Sequence, residues 1–242
     1  MKDDKKGSLN AILPLQYYLM IEKQTLKFLS ELKEHNVKDW FDANRKRYDA
    51  AKENVNSVFE ELIKEIGKFD KDIAALQLKD CTYRINRDVR FSKDKTPYKN
   101  NIAAYFAKGG KKTDASGYYL HIEPGGAFIG AGCWWPHTKL LAATRQEIDY
   151  NFKDWQKILS EKQFKKVFGD GVLKIHTLQR APKGYEENNP AIEFIKLKSF
   201  NVIQKFPDGE MMQKDFAKNT AAKFKTVKPM IDFLNNAVHE AE

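Results

Sequence analysis

Two stretches of alternating apolar and small or polar residues, "GYYLHIE" (117–123) and "AFIGAGCWW" (127–135), are separated by only three residues, "PGG". So short a turn can join antiparallel neighbours only, because parallel strands need a crossover of about a dozen residues or more. Tyr118–Glu123 is therefore expected to pair with Ala127–Trp135. Three further segments, "CTYRINRDVRF", "NIAAYFA" and "SFNVIQKF", are short and rich in β-branched and aromatic residues, with turn signals between them. "KGGKKTDASG" reads as a hairpin loop. The pattern predicts a mostly antiparallel sheet of about five strands.

Helical periodicity brackets this region. Ile21, Thr25, Phe28, Leu29 and Leu32 recur at helical spacing. After the break "HNVKD", where Asp39 is a candidate N-cap, one apolar face runs from Phe41 to Phe69, and the two segments should form a helical hairpin. Helices are expected again at about 138–150, 152–159, 161–168 and 191–197. A C-terminal helix should span about 210–240, broken or kinked at Pro229. The fold class is α+β, with the sheet packed by an N-terminal helical hairpin and C-terminal helices. Residues 22–242 form one domain in this reading. Residues 1–21 read as an N-terminal extension, with Met20 an alternative start. The apolar run Ala11–Ile21 is interrupted by Pro14 and Gln16 and is too short to cross a bilayer.

Period two assigns faces to the strands. Tyr118, Leu120 and Ile122 should face a core, leaving Tyr119, His121 and Glu123 on the other side. In the partner strand Phe128, Gly130, Gly132 and Trp134 share one face. Alternating glycines leave a strand face bare, so a neighbouring element or a ligand must approach it. In 83–91, Tyr83, Ile85, Val89 and Phe91 share a face, and Arg84, Asn86, Asp88 and Arg90 share the opposite one. Arg87 falls on the apolar side, where an arginine needs an anionic or carbonyl partner.

Net charge is +9, and it is concentrated. Nine basic residues lie between Arg84 and Lys112 against only Asp88 and Asp94. Such a region suits an anionic partner. Guanidinium forks grip phosphate or carboxylate in two-point fashion, so Arg84 and Arg90, joined by Lys95, Tyr98 and Lys99, are the candidate ligand-binding residues. Trp134 is a candidate stacking surface. Arg87 and Asp94 are assigned to a structural ion pair. His121, Glu123 and Asp88 are the weaker candidates for acid–base chemistry, and whether the chain is an enzyme stays open. No cofactor is expected; a metal held by His121 and Glu123 is the lesser alternative. Cys81 and Cys133 form no metal or redox spacing, which fits a reducing, cytoplasmic setting. No P-loop, dinucleotide fingerprint, zincin or nucleophile-elbow motif occurs.

Arg84, Arg87, Asp88, Arg90, Phe91, Asp94, Lys95 and Tyr98 in "RINRDVRFSKDKTPY" resemble the signature of domain of unknown function family 2461. "DWFDANRKRYDAAK", "GYYLHIEPGG" and "NPAIEFIKLKSF" agree with it, and the likeness runs from about residue 22 to 236. The resemblance implies a family built around these residues. It implies no reaction, substrate or cofactor. Three functions follow as expectations: binding of an anionic small molecule, with or without catalysis; binding of nucleic acid; or an Arg/Asp motif that serves as a structural ion-pair hub. No membrane partner is expected.

Overall fold

The computed structural model describes residues 19–169 and 171–241, so most of the expected N-terminal extension lies outside the described residues. The chain enters through α1 (Lys23–Glu34), the short α2 (Lys38–Ala43) and the long α3 (Arg45–Gly67). Helix α1 buries Leu26, Phe28, Leu29 and Leu32, while α3 buries Val55, Val58, Phe59, Leu62 and Ile66. These stripes pack α1 against α3 as the expected hairpin. One polar side chain enters the seam. Asn54 Oδ1 accepts from Glu22 N and Thr25 Oγ1, and its Nδ2 donates to Met20 O, so the amide is satisfied despite burial. Val37, not Asp39, occupies the N-cap of α2; Asp39 lies in the first turn, where the helix dipole still favours a carboxylate.

Two short helices, α4 (Lys71–Ala74) and α5 (Leu78–Cys81), lead to the sheet. Its strands are β1 (Ile102–Phe106), β2 (Gly117–Ile122), β3 (Phe128–Cys133) and β4 (Phe200–Lys205), in the order β1-β2-β3-β4 with every pair antiparallel. The class is α+β as expected. The sheet has four strands rather than five, because 81–91 forms only single bridges, Thr82 with Ala104 and Asn86 with Tyr98. Two causes are local. Asp88 and Asp94 each accept from the backbone N–H two residues on, at Arg90 and Thr96, which bends the chain in place of a ladder. Pro97 has no N–H to offer. The parity expected for that segment fails with it: Ile85 is buried, but Phe91 is 96% exposed.

Between β3 and β4 lie α6 (Thr138–Tyr150), α7 (Phe152–Ser160), α8 (Lys162–Phe168) and the short α9 (Ile192–Ile195). After β4 come α10 (Asp208–Met211) and α11 (Phe216–Ala241), which carries Pro229 inside it. Helices α3, α8 and α11 contact β1, β4 and β3 respectively. They meet Ala104, Phe106, Tyr118, Leu120, Ile129 and Val202, all buried. Tyr118 keeps its hydroxyl satisfied there by donating to Asp70 Oδ2 at 2.9 Å. Among the described residues no helix covers the opposite face of the sheet, which lines a cleft and carries the site described below.

Gly132 shows how tightly β3 and β4 meet. Its φ is +123°, and a Cβ placed on it would lie 1.9 Å from the Phe200 carbonyl oxygen. Gly209 has open space around its missing Cβ and an ordinary φ. Gly132→Ala should therefore destabilise the protein by at least about 2 kcal/mol in urea unfolding. Gly209→Ala in α10 should be neutral or stabilise by up to about 1 kcal/mol.

Candidate functional site

The uncovered sheet face is the floor of a cleft of about 1050 Å³, at the upper end of the range for small-molecule sites. Strand register composes the floor. Tyr105 of β1, Tyr119 of β2, Gly130 of β3 and Ile203 of β4 form one cross-strand row. Ala103, His121 and Phe128 form the next. The bare glycine row thus lies beside the Tyr119–His121 row, and depth is gained where side chains are missing. Tyr105 donates to the Ala115 carbonyl at 2.8 Å, with the Gly132 carbonyl 3.1 Å away. Its burial pushes the phenol far above the usual tyrosine range.

The rim is aromatic on one side. Trp134 and Trp135 are 59% and 46% exposed and both line the cleft. Trp135 has φ +51° and His176 φ +55°, and their rings pack 4.5 Å apart. A bulky residue in the left-handed region costs on the order of 1–3 kcal/mol, so packing must hold both in place.

The opposite wall comes from the basic loop. Its base is tied to the helical hairpin: Asn36 Nδ2 donates to Tyr98 O at 2.8 Å, and Tyr98 N donates to Asn36 Oδ1 at 3.0 Å. The Tyr98 ring stacks on Phe41 at 4.0 Å and is buried. Tyr98 is therefore an anchor, and its ring is turned into the protein instead of the cleft. Arg87 does reach the cleft wall, while its guanidinium pairs with Asp94 and donates to the Thr96 hydroxyl and carbonyl. Arg90 grips Asp88 as a fork, Nε to Oδ1 at 2.9 Å and Nη2 to Oδ2 at 2.6 Å. The Arg90 hydrogen bond holds Asp88 below the usual carboxylate range. Lys95 donates to the Val89 carbonyl.

Arg84, Arg90, Lys95 and Tyr98, grouped by the sequence with Lys99 as one ligand site, thus do not converge with it; none of the four lines the cleft. The cause is the bent backbone of 83–99, which replaces the strand that would have aligned them. Lys99 and Trp134 do line the cleft, as do Asp88 and His121. Glu123 stands behind His121, accepting from its Nε2 at 2.9 Å. No group of three His, Cys, Asp or Glu side chains among the described residues is placed to hold a metal ion.

Lys99 differs from the other cations of the loop. Its Nζ donates to the Arg84 carbonyl at 3.0 Å and lies 5.5 Å from the Tyr83 ring centre. No carboxylate among the described residues pairs with it. Burial, helped by nearby Arg84, lowers its pKa below the usual lysine value. Lys111 also lines the cleft, donating to the Lys79 carbonyl. The sequence reading overlooked Lys111, Tyr83, Tyr105 and Trp135 as lining residues. Alternation in "NIAAYFA" carried the signal for Tyr105, which shares a face with Ala103.

A family model described as "Conserved hypothetical protein (DUF2461)" matches residues 24–233. The chain belongs to this family. No curated protein and no solved structure matches it. In this DUF2461 member Arg87 pairs with Asp94 and Arg90 with Asp88, and Asp94 reports it. The Thr96 backbone N–H and the Arg87 guanidinium, in that order, hold the Asp94 carboxyl down to about 2. Its depressed value gives a stabilising contribution that is complete above the ordinary aspartate pKa of 3.8 and is lost as pH falls towards 2. In Arg87→Ala, a carboxyl NMR titration should show Asp94 rising only part of the way to its ordinary value, because the Thr96 N–H remains.

Proposed function

We propose that the protein binds an anionic small molecule, bearing a phosphate or carboxylate and a flat or sugar-like portion, in the cleft above the open sheet face. The observation that carries this reading is Lys99: a partly desolvated ammonium on the wall of a largely apolar cleft, paired with no carboxylate among the described residues. A charge held that way is costly until an anion arrives. Arg87 and Lys111 add positive potential, and Trp134 offers a face on which a base or sugar can stack. Two buried free thiols, Cys81 and Cys133, favour a reducing compartment, and a cytoplasmic setting belongs to the same proposal. Among the described residues no helix is long and apolar enough to cross a membrane.

A second reading, nucleic-acid binding, draws on Phe91. It is 96% exposed, with the Arg90 guanidinium 5.9 Å from its ring centre, on a loop that also presents Lys93. That is the pairing of stacking surface and charge used on single strands. In that case anisotropy of a labelled single-stranded oligonucleotide should rise on binding and fall steeply with salt.

The test of the first reading is a thermal-shift screen with nucleotides, sugar phosphates and dicarboxylates. A ligand at about 100 times its Kd should raise Tm by roughly 5–10 °C in a domain of this size. Lys99→Ala should abolish the shift while leaving the unliganded Tm nearly unchanged. If no anion in the screen stabilises the protein, or if Lys99→Ala responds as the parent does, this reading fails.

A further inference from the structure

Two polar side chains of the cleft floor and a third behind them are joined in line. The Tyr119 hydroxyl lies 3.1 Å from His121 Nδ1, and His121 Nε2 lies 2.9 Å from Glu123 Oε2. Glu123 Oε1 accepts from Asn100 Nδ2 at 2.6 Å. The bonds dictate the tautomer. A carboxylate only accepts, so Nε2 carries the proton, and Nδ1 is left with a lone pair that accepts from the Tyr119 O–H. Phe128 stacks on the imidazole at 4.7 Å with 20° between the planes, fixing the ring. Alternation explains why the three are together: residues 119, 121 and 123 follow one another along one face of β2 and its extension.

The order is that of nucleophile, base and orienting carboxylate. We propose that Tyr119, His121 and Glu123 form such a triad, which makes the Tyr119 hydroxyl the reactive atom of the cleft towards the phosphoryl group of a phosphate ester. The choice of a phosphate ester rests on the anion-binding reading above; the triad itself does not. Tyr119 Oη attacks phosphorus as its proton passes to His121 Nδ1. An Oη–P bond forms, and the bond from phosphorus to the ester oxygen breaks with its electron pair on that oxygen. The imidazolium, balanced by Glu123, returns the proton to the departing oxygen. Water then attacks the phosphotyrosine, again giving its proton to Nδ1, and the phenol is re-formed as Oη leaves and takes that proton back. Burial places the Tyr119 pKa at about 12. The free phenol is therefore neutral near pH 7, and, as for a serine nucleophile, its proton must leave as the bond forms. Glu123 acts through His121 and is a positioning residue.

The test uses phenylmethanesulfonyl fluoride, whose tetrahedral sulfur imitates a phosphoryl centre and which needs no anion site. Peptide mass spectrometry should find Tyr119 sulfonylated faster than Tyr150, which is 75% exposed and outside the cleft. His121→Asn should slow labelling of Tyr119 at least about 100-fold. Glu123→Gln, which preserves shape, should slow it less and shift the His121 tautomer in ¹⁵N NMR away from protonated Nε2. Thermal melts of each variant show that the fold persists. Labelling is read on the parent protein with no anion present and anion stabilisation separately in the thermal-shift screen, which separates failure of the triad from failure of the binding reading. Labelling of Tyr119 no faster than Tyr150, equal labelling in His121→Asn, or a parent His121 protonated on Nδ1 would each overturn the proposal.

Discussion

The reciprocal pair between Asn36 and the Tyr98 backbone is the contact on which the site depends. A side-chain amide in the turn after α1 supplies both a donor and an acceptor to one residue 62 positions later. It acts as a one-residue strand edge, and the Tyr98–Phe41 stack locks the orientation. Aromatic pairs of this kind contribute about 0.5–1.5 kcal/mol beyond their burial. Everything C-terminal to that clamp, Lys99 and the start of β1 included, takes its position from the helical hairpin. The cleft wall is therefore positioned by the helical layer, although it faces the opposite side of the sheet.

The motif between Arg84 and Tyr98 divides its labour accordingly. Arg90 with Asp88, and Arg87 with Asp94 and Thr96, close two short circuits of charge within the loop. The Arg90–Asp88 pair is largely exposed, and in the other pair Asp94 is exposed although Arg87 is partly buried, so each adds little to global stability. Their effect is geometric: they fix the shape of a loop that has no ladder to define it. Positive potential towards the cleft then comes chiefly from lysines that bond carbonyls in place of carboxylates. A carbonyl can aim an ammonium without cancelling its charge.

Much of this was legible in the amino-acid order, and the remainder was hidden for definable reasons. The three-residue turn at Pro124–Gly126 left one pairing for β2 and β3, and alternation then placed Tyr118, Leu120 and Ile122 inward and Tyr119, His121 and Glu123 on the other side. The helix periods at α1, α3, α6, α7 and α8 were equally plain. Alternation misled at 83–91. The residues there are strand-like in composition, but Asp88, Asp94 and Pro97 determine the backbone through contacts of two-residue range that a parity rule does not register. Once the strand was lost, so was the shared face assigned to Arg84 and Arg90. Tyr98 was misplaced for another reason: its partners, Asn36 and Phe41, lie in the helical hairpin, far away in sequence. Lys99 stood out in the sequence only as one basic residue among nine, and what distinguishes it is its partial burial on the cleft wall.

The two glycines of β3 have unlike consequences. At Gly132 the chain has no latitude, since any side chain meets the β4 backbone. At Gly130 the nearest atom to an added Cβ would be the Val202 carbonyl oxygen at 3.4 Å, and the backbone is ordinary. A methyl fits there at the margin of normal contact, pointing up from the middle of the floor. Cleft depth is thus set at a position where the scaffold tolerates change. The room above the floor can drift in evolution, or be tuned by hand, one methyl at a time at residue 130, without renegotiating the core behind it.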